Sequence, residues 1–496
     1  MKPHFKIRGR KAGTAFVLGL AVVTLSACDN LLEVNLPAKL TDAALQDPKS
    51  AVAIRNSAIG EFETAYDYLV WQWYSREDAG GTALGSAGVV ADGVNFDVGI
   101  GSIFQPLATS RSFAYLLHDR LANDKNWAGV PDRTQIMAVT SIYAGAALGV
   151  MGSALCEVTI DGGPKMAPSD ALALADTWLT KALTEIGATD FAVPYGIATS
   201  AKAMAYGLRA QVRWMKGDNA GALADAALVP KGFVAYATRD PSGSAKSTGV
   251  SRQNRSWNDG PNGRYSKLNG IVDWWTGAAN PVTGKAWPKA IPFTGYTEMG
   301  IGADGRAVTD DGYPIRRATS TAYPGLDATA VADTRIPFIK GTLTGGGATI
   351  EYIHNRYPQE GDDLAMVDWK DMWLIRAEIE GGQKAIDYVN DIRADKNLPK
   401  VTYASPANAT QIKYMVIEER RRALFLEGRF FFTKLKNLDL LFFPRAEGRN
   451  PNRNNSLYSG GIRMIMPANE YTLNQNLTDA DRGTACAAPE RPINII

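Results

Sequence analysis

The chain is poor in the residues that most often carry chemistry. It has three cysteines and three histidines among 496 residues. His4 lies in the N-terminal segment, and His118 and His354 are far apart in sequence, so no histidine relay is written locally. No C-x-x-C and no metal-type Cys/His spacing occurs. A nucleophile elbow, a Walker A loop and an H-E-x-x-H helix are also missing. Acids do cluster at Glu360, Asp362 and Asp363 and at Asp310 and Asp311. A glycosidase needs a carboxylate pair, but adjacent acids in Gly-rich loops are more often solvated turns, and occasionally a calcium site. The chain therefore reads as a non-enzyme without a cofactor, calcium being the one ion those loops would suit. Charge of one sign is lacking too: 53 Lys and Arg stand against 51 Asp and Glu. No basic patch interleaved with aromatics is present, which argues against nucleic acid as a partner.

Long apolar runs are few, and each of the two has a distinct meaning. Residues 1 to 27 carry five basic residues and no acid. They continue into the apolar run from Thr14 to Leu25, which is too short to span a bilayer. The run ends in Leu25-Ser26-Ala27-Cys28, small residues before a cysteine, as in a bacterial lipobox. Cys28 is then the lipidated first residue of the mature chain, with residues 28 to 47 as a tether. Asp29 leaves open which membrane face receives it. Removing Cys28 leaves Cys156 and Cys486, which permit one disulfide outside the cytoplasm. The second run, Ile136 to Leu155, has no charge over twenty residues. Its Thr, Ser, Tyr and Gly content, and the absence of a flanking basic cluster, point to a buried helix rather than a membrane span. Gly145 and Gly149, one turn apart, would let a neighbouring helix come close.

Glycine, proline and aromatic content divides the rest. Asp47-Pro48 opens a helix that reaches about Tyr68 and leads into Tyr66, Tyr68, Trp71, Trp73 and Tyr74. Helical patterns follow at about 104–123, 169–187, 199–216 and 219–228, completing an N-terminal helical part over 48–230. The pair ending at Gly217-Asp218 resembles a tetratricopeptide unit, and a second such pair lies at 368–398. Units of this kind bury their apolar faces only by stacking. Between them, residues 231–362 lack helical period and read as loops and short strands. This insertion is rich in aromatics, including Trp257, Trp274, Trp275, Trp287 and Tyr296. Residues 363–496 form a C-terminal helical part.

That last part holds the most telling stretch, Ile412 to Phe443. Its apolar stripe Ile412, Val416, Ala423, Leu426, Phe430 is interrupted by Glu419 in helical register. Five charges in a row, Glu418 to Arg422, go right round the helix, so some of them must be packed and paired. Arg422, three residues on, is the local partner for Glu419. Glu419, Arg420, Leu424, Glu427 and Gly428 together resemble the C-terminal signature of the SusD/RagB family of nutrient-binding lipoproteins. Ala423, Phe430, Thr433 and Lys434 depart from that pattern. The ending Pro467, Glu470, Asn474, Asn476, Leu477 is similar to the family's closing motif.

The resemblance implies a mostly α fold: a tetratricopeptide-like, SusD-like helical-repeat stack with a loop- and short-strand-rich insertion. It implies a lipid-anchored protein of the outer membrane, facing the surface or the periplasm. Its partners would be a TonB-dependent, SusC-like β-barrel transporter and a nutrient, usually an oligosaccharide. Aromatic faces with polar handles suit sugar rings. The expected ligand platform is Trp274, Trp275, Trp287 and Tyr296, with Trp71 or Trp73 contributing less. Glu419, Arg420, Arg422 and Glu427 are expected to form a structural lock instead. The alternatives are a periplasmic helical-repeat scaffold without a small ligand and a secreted glycoside hydrolase.

Overall fold

A computed structural model describes residues 45–76, 80–82, 101–249, 254–257, 266–268, 335, 337–340, 352–398, 400–401, 404–437, 449–450, 456–457 and 463–482. The chain divides into two units, Met1–Asp47 and Pro48–Ile496, and all that follows concerns the second. Cys28 and the segment before it lie outside the described residues. The unit is mostly helical. Helices α1 (Ala51–Arg76), α2 (Gly101–Asn123), α3 (Arg133–Ala154) and α4 (Pro168–Ile186) pack in succession, followed by the pair α5 (Ala201–Lys216) and α6 (Asn219–Ala226).

Helix α3 is the uncharged run, and it sits at the centre. Of the described helices it alone has the length and apolarity to cross a membrane, and 89% of its apolar window is buried inside the protein. Its glycines make this burial possible. A Cβ at Gly145 would stand 2.6 Å from Leu179 Cγ, and one at Gly152 would stand 2.8 Å from the Pro168 carbonyl oxygen, both on α4. One at Gly149 would stand 2.9 Å from Val212 on α5. Three contacts of this kind let two neighbouring helices lie against the α3 backbone.

The α5–α6 pair has the caps its sequence announces. Ser200 and Asp218 cap the two N-termini, and Gly217 ends α5 with φ 82°. Arg209 and Arg213 both reach Asp225 on α6, at 2.6 and 3.0 Å, while Arg213 also holds Asp176 of α4 at 3.0 Å. The second pair, α7 (Trp369–Glu380) and α8 (Gly382–Ala394), turns at Gly381 and Gly382, both with positive φ. Strands β1 (Val234–Ala237) and β2 (Leu364–Asp368) pair antiparallel, with a bulge between Ala235 and Tyr236. They bring the two ends of the insertion side by side, and β2 lies over Gly207 of α5. Within the insertion, Phe338–Lys340 pairs with Tyr352–His354, and Ser266–Leu268 pairs with Gly80–Thr82 beyond α1. The C-terminal segment returns to the end of α3: the Cys156 N–H donates to the Met464 carbonyl and the Met464 N–H to the Ala154 carbonyl, each at 2.9 Å, and Asn474 and Asn476 donate to the carbonyls of Gly163 and Gly162. Cys156 is disulfide-bonded; Cys28 and Cys486 both lie outside the described residues.

Helix α9 (Ala409–Ala423) carries the charge run, and all five residues from Glu418 to Arg422 are buried. Two expectations need correction. The helix stops at Ala423, because Leu426 and Gly428 adopt positive φ and turn the chain into α10 (Phe430–Lys436). Leu426 and Phe430 therefore do not extend the α9 stripe. Nor does Arg422 pair with Glu419. It donates to Glu418 at 2.9 Å, and Arg421 meets the other oxygen of the same carboxylate. Glu419 takes its partners from distant segments, Arg335 and, at 2.9 Å, Arg393. Asp371 is shared in the same way by Arg420 at 3.2 Å and Arg429 at 2.9 Å. Arg420 also lies 4.2 Å from the Trp214 ring centre. Glu427 holds Arg356 at 2.7 Å.

Two outcomes follow for chemical denaturation. Gly145→Val should cost about 1–3 kcal/mol through overpacking against Leu179. Glu419→Ala should cost about 3–5 kcal/mol, because it leaves two buried guanidinium groups without their shared carboxylate. Replacing Glu419 by Leu together with Arg335 and Arg393 by Met should recover much of that loss; an unchanged midpoint for Glu419→Ala would show that the lock carries no stability.

Candidate ligand-binding site at the aromatic end of the first helix

Helix α1 has two working faces. Phe62, Tyr66 and Trp73 point into the core, where Trp73 stacks on Phe431 at 5.2 Å and meets Phe432 edge-on at 4.6 Å. Glu63 and Asp67, one turn apart, are buried against the insertion. Gly60 gives the loop room, since a Cβ there would meet Thr248. Glu63 Oε1 accepts the Thr238 backbone N–H at 2.8 Å, and Oε2 accepts the Ser247 hydroxyl at 3.2 Å. Arg239 donates to the Glu63 carbonyl at 3.0 Å and stands 4.0 Å from Asp67. Asp67 accepts the Arg255 backbone N–H at 3.0 Å. Asn254 ties the same segment to the Asp362 carbonyl at 2.9 Å and accepts the Trp257 N–H at 2.9 Å. Two carboxylates on one helix thus position residues 238–249 and 254–257.

What they position is an aromatic and cationic cluster. The Arg255 guanidinium lies 4.6 Å from the Tyr68 ring centre and 5.8 Å from that of Trp71, and it donates to the Tyr68 hydroxyl at 2.7 Å. Tyr68, Trp71, Arg255 and Trp257 are all half-buried. The Trp71 indole N–H is buried and has no hydrogen-bond partner among the described residues. Flat faces beside N–H donors are what a ring of mixed polar and apolar character needs. The cavity behind α1, lined by Trp73, Gln211 and Arg429 among others, measures about 40 Å³. It is too small for a sugar ring, given that ligand pockets run to hundreds of Å³.

The residues singled out from sequence separate here. Trp71 belongs to the cluster. Trp73 does not: at 1% exposure it has no ring face to offer a ligand. Trp274, Trp275, Trp287 and Tyr296 lie outside the described residues. Arg255 was not singled out; its signal is the E-x-x-x-D spacing on α1, which demands a partner segment. The histidines form no relay among the described residues. His118 contacts Glu185 at 2.6 Å and Ser141 donates to the other oxygen of that carboxylate at 2.7 Å. The glutamate thus stands between hydroxyl and imidazole, whereas nucleophilic catalysis needs those two in contact. His354 is buried, and burial pushes its imidazole down to about 3. Asp363 accepts the Arg239 backbone N–H at 2.6 Å, and Asp362 that of Gln359 at 2.8 Å, as turn acids do. Among the described residues, no three His, Cys, Asp or Glu side chains are grouped as metal ligands.

Burial pushes the Glu63 carboxyl up from its ordinary 4.5 to about 7, against the pull of Arg239 and the Thr238 N–H. Burial moves Glu418 the same way, to about 7. A carboxyl raised on folding binds its proton more tightly in the native state, so its contribution is full below about pH 4.5 and is lost as pH rises through about 7. The melting temperature should therefore fall between pH 5.5 and 8. Glu63→Gln should flatten that fall and raise stability at pH 8 by about 1–3 kcal/mol; an equally steep profile in the variant would contradict the assignment.

No protein-family model and no curated protein matches the chain. Solved structures do. A SusD superfamily protein from Bacteroides vulgatus superposes with a TM-score of 0.55 at 13% identity, over 89% of this chain and 99% of that one. A SusD superfamily protein from Bacteroides thetaiotaomicron gives 0.54 at 15% identity, over 88% and 98%. Surface glycan-binding protein A from Bacteroides thetaiotaomicron, in complex with laminarihexaose, gives 0.50 at 13% identity, over 86% and 97%. Agreement along nearly the whole of each partner, at such low identity, is agreement of fold: this chain has the architecture of the SusD superfamily.

Proposed function

We propose that the protein is a lipid-anchored glycan-binding protein of the outer membrane that passes oligosaccharides to a TonB-dependent β-barrel transporter. The observation that carries the binding half is the cluster of Tyr68, Trp71 and Arg255, held where α1 meets the insertion. Ring faces cover the apolar side of a pyranose at little side-chain entropy cost, and the guanidinium N–H groups address its hydroxyls. The fold is shared with a protein solved in complex with laminarihexaose, which favours a saccharide over other mixed ligands. Trp274, Trp275, Trp287 and Tyr296 would extend the platform within the insertion. The anchoring half rests on the basic segment, its short apolar run and Cys28 after Leu25-Ser26-Ala27; several acyl chains make a stable anchor where one would be marginal. The transporter half rests on the resemblance at Glu419–Gly428.

Isothermal calorimetry against a panel of oligosaccharides tests the binding half. At least one glycan should bind, and Trp71→Ala should weaken it about tenfold, as loss of an aromatic anchor does. The double change Trp274→Ala, Trp275→Ala should weaken it further. A fully folded protein that binds no member of the panel would leave the helical scaffold as the better reading. Gentle detergent extraction should bring a large β-barrel down with the protein, and metabolic labelling with palmitate should mark it through Cys28.

A further inference from the structure

Arg255 differs from many of the packed arginines in what neutralises it. Arg209, Arg213, Arg335, Arg393, Arg420 and Arg429 each meet a carboxylate within 3.2 Å. Among the described residues, no carboxylate meets the Arg255 guanidinium; its one hydrogen bond goes to the neutral Tyr68 hydroxyl. The nearest candidate, Asp67, is occupied. It accepts the Arg255 backbone N–H instead, and it lies 4.0 Å from Arg239. Glu63, the other acid of this α1 face, is turned to Thr238 and Ser247, and burial draws it toward its neutral form. Among the described residues, the neighbourhood is thus left with more positive than negative charge.

The rings fix how that charge is presented. Tyr68 and Trp71 lie against the guanidinium, so its N–H edge remains to act as donor. A planar fork held between aromatic faces is preorganised for bidentate contact with a carboxylate, and partial desolvation by the rings strengthens the attraction. A neutral sugar could accept those hydrogen bonds but would leave the charge uncompensated.

We infer that the ligand of this surface is an acidic saccharide, with a uronate carboxylate seated on Arg255 and its ring against Trp71. This rests on the glycan-binding reading above. Calorimetry on the full-length protein with tetragalacturonic acid and with the neutral maltotetraose, at 50 mM and 500 mM NaCl, tests it. The acidic oligomer should bind about tenfold or more tightly than the neutral one at low salt, and should lose several-fold affinity at high salt. Arg255→Gln should abolish the preference, and Arg255→Lys, which keeps the charge without the fork, should retain part of it. The melting temperature of each variant reports whether it is folded; should Arg255→Gln fail to fold, the acidic-to-neutral ratio and its salt dependence in the unaltered protein decide alone. Equal or tighter binding of the neutral oligomer, or a preference that survives in folded Arg255→Gln, overturns the inference while leaving glycan binding standing. Binding of neither oligomer, together with failure of the wider panel, removes both.

Discussion

Five consecutive charges buried on one helix impose a demand that the rest of the fold must meet. Taking Glu418 to Arg422 out of water is costly unless each charge finds a partner of good geometry. The protein meets this with a repeated arrangement: a buried carboxylate shared by two guanidinium groups, at Glu418, Glu419 and Asp371. The surplus positive charge is placed against rings, Arg420 over Trp214 and Arg429 over Phe432. The partners come from α5, α7, α8, the turn before α10 and the returning arm of the insertion. None of these can be absent without leaving a charge exposed to the low-dielectric interior. Such a network makes assembly cooperative in a way that an apolar core, tolerant of partial packing, does not.

The same demand reaches the candidate site. Arg335 and Arg356, which answer Glu419 and Glu427, belong to the insertion. Its return path is thus fastened to α9 and the turn after it, while its outgoing path is fastened to Glu63 and Asp67 of α1. The aromatic cluster sits beside the second attachment. Its rings and guanidinium are positioned by hydrogen bonds to a long helix whose opposite face is core, and rigid support of this kind is what keeps a binding surface preorganised.

Much of the helical frame was legible from periodicity and caps, because α4 to α7 end at glycines or begin at Ser and Asp residues with local effects. The tetratricopeptide-like pairs were legible for the same reason. The end of α9 was not, since Leu426 is a non-glycine residue at positive φ and nothing local marks it. The partner of Glu419 was not legible either. The helical spacing rule offers Arg422, but the true partners, Arg335 and Arg393, are 84 and 26 residues away. Trp71 and Trp73 look alike in sequence, yet two residues on a helix differ by about 200°, so one ring went to the cluster and the other to the core. Arg255 carries no motif; only tertiary contact reveals that, among the described residues, its guanidinium meets a tyrosine hydroxyl and no carboxylate.

The β1–β2 pair has a consequence beyond holding two strands together. Because Val234 lies opposite Asp368 and Ala237 opposite Leu364, the insertion leaves and re-enters the helical stack at one point. Its ends are already brought together, so a change in the length between them costs only a slowly growing closure entropy, about 0.6 kcal/mol per doubling. The stack is thereby largely indifferent to the length of chain between the residues that anchor the insertion, Arg239 and Arg255 on one side and Arg335 and Arg356 on the other. A chain built this way can vary the sequence between those anchors without redesigning the scaffold that carries it.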